Sequence, residues 1–133
     1  MDLALQEAIV TIGFEKTVQA LADTALKEVR LGSQLQTTSL DMSKKKLNVY
    51  YALMQKDVMK TRAAMNAFRD VATSVLAAAS DATIMGVAIA TQKAEVNIIH
   101  EGVGNMDENT RQLAATLKRS YDAMEILLAA IST

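Results

Sequence analysis

The stretch from Leu40 to Ala79 decides which fold we expect for this chain; it reads LDMSKKKLNV YYALMQKDVM KTRAAMNAFR DVATSVLAAA. From Leu40 onward, steps of four and three residues alternate, and ten of the twelve positions that they reach are apolar. A repeat of 3.5 residues keeps one stripe on one side of a long α-helix, which is the condition for knobs-into-holes packing. We call this stripe the seam, and we expect it to form a helix interface: Leu47, Tyr51, Met54, Val58, Met65, Phe68, Ala72, Val75 and Ala79.

The length of this stretch has a consequence for packing. At a rise of 1.5 Å per residue, forty helical residues reach about 60 Å. A seam of that length needs other helices beside it, either from the same chain or from further copies. The sequence therefore favours association between long helices.

The rest of the chain carries the periodicity of further helices and no proline to break them. Near the start, an apolar stripe has steps of three and four residues: Val10, Phe14, Val18, Leu21, Ala25 and Val29. We expect an all-α fold with one domain over residues 1–133, in which long antiparallel helices form a bundle or a coiled-coil-like hairpin. Helices are predicted over residues 2–31, 39–80, 81–101 and 106–131, and one continuous helix over 39–101 is left open.

A row of small residues follows the seam toward the C-terminus. Small side chains at a spacing of four residues let two helix backbones approach closely. Such a row is predicted either to pack one helix tightly against another or to be the place where copies of the chain slide together. We call it the ridge: Ala78, Ala82, Gly86, Ala90 and Ala94.

The charges are divided into blocks, although the net charge is only −1. Residues 1–39 carry three basic and five acidic side chains, residues 40–80 carry seven and three, and residues 81–133 carry four and seven. A basic centre therefore lies between two acidic flanks. Attraction between these blocks favours antiparallel or staggered packing of the centre on the flanks, within one chain or between copies.

The shortage of chemically reactive residues in the sequence argues against an enzyme. The chain has no cysteine and a single histidine, His100, so the usual zinc and di-iron helix motifs do not occur. We expect no catalytic residues, no cofactor, no metal site and no small-molecule substrate. The basic run Lys44-Lys45-Lys46 is read as a solvated or ion-paired helix face, which makes nucleic-acid binding unlikely.

Three functional hypotheses remain. The first is a structural protein that self-associates through long helices into a homo-oligomer or filament. The second is an adaptor or chaperone-like bundle that binds another helical protein. The weakest is a membrane-active or secretion-apparatus component that uses residues 71–90, where the single charge, Asp81, disfavours insertion. The first residues do not resemble a cleavable signal, so synthesis in the cytoplasm is expected.

Overall fold

The computed structural model describes residues 3–32, 37–78 and 106–132. Within these ranges the chain forms helices and no strand, and the helices pack as an all-helical bundle. We number them α1 (Leu3–Ile12), α2 (Phe14–Gly32), α3 (Thr37–Met54), α4 (Val58–Ala78) and α5 (Met106–Ser132). The last helix, α5, spans the residues 106–131 over which the sequence predicts it. The predicted helix over 81–101 lies outside the described residues.

Ion pairs show how neighbouring helices run. Glu15 near the start of α2 pairs with Lys56 just after α3, whereas Glu28 near the end of α2 pairs with Lys46 inside α3. As residue numbers rise along α2, the numbers of the lysines that pair with it fall, so α2 and α3 are antiparallel. The core lies between these helices and α4 and α5, and its large, fully buried side chains are Val18, Met42, Val49, Leu53, Met65, Phe68, Met124 and Leu127.

The single helix predicted over residues 39–80 is wrong, because the chain reverses at Lys56. Lys56 has a left-handed backbone (φ 54°), its amide donates to the Leu53 carbonyl (3.0 Å), and the Asp57 amide donates to the Ala52 carbonyl (3.3 Å). These two bonds are those of a Schellman motif, in which the left-handed residue is usually glycine. Asp57 then caps α4, its Oδ1 accepting from the Lys60 amide at 2.9 Å. This break also rules out one helix over 39–101.

The single helix predicted over residues 2–31 is also wrong, because Gly13 separates α1 from α2. Gly13 has φ 101°, a conformation that suits glycine and ends a helix. The Thr17 hydroxyl donates to the Gly13 carbonyl at 2.8 Å, and the same Thr17 Oγ1 lies 3.3 Å from the Ala8 carbonyl oxygen. In a straight helix, a separation of nine residues would place the Thr17 and Ala8 groups about 13 Å apart along the axis. The short contact therefore marks a sharp bend, which the continuous apolar stripe does not reveal.

Truncation of Phe68 tests the assignment of the core. Phe68 is buried, so Phe68→Ala leaves a cavity and is expected to lower the free energy of unfolding by about 3–5 kcal/mol in urea denaturation. Ser74→Ala is the matched control on the same helix, because the Ser74 side chain is exposed and its truncation should change stability by less than about 0.5 kcal/mol. Similar losses for both variants would contradict the packing.

Candidate functional site

The seam is divided between the interior and the surface of the chain. Leu47, Met65, Phe68 and Ala72 are buried in the core, and Met54 packs against it while partly exposed. These five side chains are covered by helices of the same chain and do not require another copy.

Other residues of the seam and the ridge lie elsewhere. Tyr51 and Val58 are exposed, one before and one after the reversal at Lys56. Val75 and Ala78 belong to α4, but their side chains lie outside the described part of the molecule. The remaining predicted interface residues are outside the described residues altogether: Ala79 of the seam, and Ala82, Gly86, Ala90 and Ala94 of the ridge.

The helix α3 is buried over a wider arc than the seam. Met42, Val49, Tyr50 and Leu53 are buried although none of them belongs to the seam. The reason is that α3 contacts α2, α4 and α5 and lies centrally among them. The run Val49 to Leu53, apolar at every position, is a sequence signal that could have indicated a helix covered on more than one side.

Large apolar side chains remain exposed at one end of the bundle. The Glu15–Lys56 ion pair (3.4 Å) places the bend at Gly13 beside the α3–α4 turn. Exposed apolar residues flank both features, and we call them the end surface: Val10, Ile12, Tyr51, Val58 and Met59. The Val10 and Met59 side chains are 86% and 85% exposed. Sequence periodicity alone does not identify this set, because it depends on the two breaks in the helices.

Ion pairs join the basic centre of the chain to its acidic flanks, as the order of the charges in the sequence predicts. Lys46 Nζ lies 3.0 Å from Glu28 Oε2, Lys56 Nζ lies 3.4 Å from Glu15 Oε1, and Arg62 Nη1 lies 2.7 Å from Glu125 Oε1. Each pair joins the basic centre to an acidic flank. Of these three pairs, only Lys46–Glu28 is largely shielded from solvent, so the two exposed pairs add little to the stability of the fold.

An apolar groove lies between α4 and α5, with a volume of about 230 Å³. Arg69 and Lys118 stand among its lining residues, and its walls are formed mainly by Phe68, Ala72, Leu117 and Tyr121. Small-molecule sites usually measure about 300–1,000 Å³. The groove therefore suits one or two side chains of a partner better than a whole cofactor.

Candidate metal clusters and membrane-spanning helices are absent from the described residues. No group of three or more His, Asp or Glu side chains that could hold a metal ion occurs in residues 3–32, 37–78 and 106–132. Within the same ranges, none of the helices combines the length and apolar character needed to cross a bilayer. His100 and most of the predicted membrane-active stretch 71–90 lie outside them.

Tyr50 is a buried titratable group beside the Lys46–Glu28 pair. Burial, and secondarily the negative charge of Glu28, raise the pKa of the Tyr50 hydroxyl well above its ordinary value of 10. The hydroxyl therefore stays protonated in the folded chain at physiological pH. Tyr50 is a core residue of α3 and has no features of a general base.

Replacement of Tyr50 should change the response of stability to alkaline pH. The unfolded chain releases this proton near pH 10 and the folded chain does not, so the contribution is complete below pH 10 and is lost as pH rises. When the pH rises from about 8 to about 11, the free energy of unfolding falls in both proteins. The fall should be about 1.4 kcal/mol smaller in Tyr50→Phe than in wild type, as measured by urea denaturation. Tyr51→Phe, on the exposed neighbour, is the control; equal losses in Tyr50→Phe and wild type would contradict the linkage.

Comparison of the chain with protein-family models, with curated proteins and with solved structures gives no match. The end surface, the groove and the charges described above are therefore the features of the molecule that bear on its function.

Proposed function

We propose that this protein is a non-enzymatic structural helical bundle that self-associates, with the end surface as the contact between copies. The observation that carries the proposal is the exposure of five large apolar side chains beside the Gly13 bend and the α3–α4 turn. Single exposed apolar residues are ordinary on protein surfaces, whereas a group of them is typical of an interaction site.

The composition of the end surface suits a protein–protein contact. Burial of a Val, Ile or Met side chain contributes about 1.5–3 kcal/mol, so the covering of two or three of them supports association. Methionine adapts to irregular surfaces, and tyrosine is enriched in interfaces. Charged residues such as Lys56 and Glu15 surround the apolar set, as in the polar rim of many interfaces.

The charge of the chain is compatible with self-association. A net charge of −1 opposes the approach of two copies only weakly. Three ion pairs already join the basic centre to the acidic flanks inside one chain. Apolar burial is therefore the main driving force in this proposal.

A second candidate function is an adaptor that binds another helical protein. The groove between α4 and α5 favours it, because an apolar floor with Arg69 and Lys118 beside it fits an amphipathic helix whose bulky apolar residue lies next to a carboxylate. The groove residues lie away from the end surface, so the two functions use different side chains.

Mass measurement over a wide range of protein concentration tests self-association. Wild type should exceed the 14.4 kDa of one chain in light scattering, with electron microscopy distinguishing a closed oligomer from a filament. Met59→Glu places a charge in the proposed contact and should weaken association at least about tenfold, and Val10→Glu/Met59→Glu should be monomeric.

The matched control is Ser74→Glu, an exposed position on α4 about 22 Å along the helix from Met59, which should associate like wild type. A wild-type protein that is monomeric at every concentration would contradict self-association and favour the adaptor. Unchanged association of the double variant would remove the end surface as the contact.

A further inference from the structure

The helix α1 has two apolar faces, of which only one packs against its own chain. Leu5 is buried and Ile9 is partly buried against the core. On the other face, Leu3 and Val10 lie seven residues apart and are 68% and 86% exposed. A helix with apolar residues on both sides normally has both sides covered.

The exposed face of α1 is in register with the buried stripe of α2. Val10, Phe14 and Val18 follow one another at steps of four residues, so they would share one side of an uninterrupted helix. Phe14 packs against the core and Val18 is fully buried. The sequence pattern thus fits a straight helix over residues 3–32, although the structure bends that helix at Gly13.

The bend depends on the backbone of one residue. Gly13 has φ 101°, and a Cβ added there would meet nothing within 4 Å. The space beside Gly13 is therefore open. Glycine adopts positive and negative φ about equally well, so the Gly13 backbone itself opposes a return to helical geometry only weakly. A change in a few backbone dihedral angles there would change the direction of α1 relative to α2.

We propose that α1 is exchanged between two copies of the chain, an inference that rests on the proposed self-association. With Gly13 helical, α1 and α2 form one helix, and α1 occupies on the second copy the place that it holds on its own chain. Leu5 and Ile9 keep equivalent contacts there, while Val10 and Ile12 are covered where the two copies meet at the end surface. A second copy is the fitting occupant because it carries the surface that already accepts α1.

The variant Gly13→Ala tests the hinge. Alanine is unfavourable at φ 101° and is favoured over glycine inside a helix, so both effects shift the protein from the bent to the straight form. The association constant of the dimer should rise at least about tenfold over wild type in light scattering or sedimentation. Because a Cβ meets nothing in the bent form, a change cannot be attributed to a clash.

A disulfide trap tests the exchange directly, since the chain has no cysteine of its own. The Thr17 hydroxyl lies 3.3 Å from the Ala8 carbonyl, so the two residues are neighbours across the bend. A chain with only Ala8→Cys is mixed with a chain with only Thr17→Cys and oxidised. Exchange brings the two thiols together and yields a covalent heterodimer on a non-reducing gel, and adding Gly13→Ala to both chains should raise its yield.

The possible outcomes separate this inference from the proposed function. Self-association of wild type with no rise for Gly13→Ala and no mixed disulfide would overturn the exchange and leave the end surface as a rigid contact. A monomer at every concentration for both wild type and Gly13→Ala would overturn both. Circular dichroism of each single-cysteine chain checks that it folds. If a cysteine variant fails to fold, the association constant of Gly13→Ala still tests the exchange.

Discussion

The reversal of the chain at Lys56 and Asp57 is the constraint on which the rest of the bundle depends. A left-handed lysine costs roughly 1–2 kcal/mol of backbone strain, and the Schellman hydrogen bonds and the Asp57 cap offset part of it. The packing of α3 against α4, which the reversal permits, offsets more of this strain. The reversal brings Leu47 of α3 and Phe68 of α4 into one core, which a straight helix would hold far apart.

Charge and apolar burial have different roles in this molecule. The ion pairs Lys46–Glu28 and Arg62–Glu125 join the basic centre to the two acidic flanks and accompany the antiparallel register of the helices. The exposed pair Arg62–Glu125 contributes little free energy, so it selects an arrangement more than it stabilises it. The buried aromatic and aliphatic residues supply the main stabilisation.

The proposed association follows from apolar surface that the reversal and the bend leave outside the core. If the seam formed one continuous rod, copies would be needed along about 60 Å of helix. The chain covers most of the described seam by itself, and five of the large apolar side chains that stay exposed form the end surface. In the proposed exchange, α1 bends back on its own chain in a single copy and continues α2 in a dimer, because it has apolar residues on two faces. A helix with two such arrangements is a bistable element.

The sequence by itself determined the all-helical class, the range of the last helix, and the attraction between centre and flanks. These properties depend on local periodicity, on the absence of proline and on the order of the charges. The candidate site was predictable only in part: Leu47, Met65, Phe68 and Ala72 are apolar residues that pack between helices, but periodicity does not say whose helix covers them.

Only the tertiary structure decided the bend at Gly13, the reversal at Lys56, the burial of Tyr50 and the exposure of Val10 and Met59. The physical reason is that a helix break changes the local free energy by roughly 1–2 kcal/mol, whereas burial of the side chains that it brings together contributes more. Local pattern shows which faces of a helix are apolar. Contacts between residues distant in the chain select which of those faces is buried.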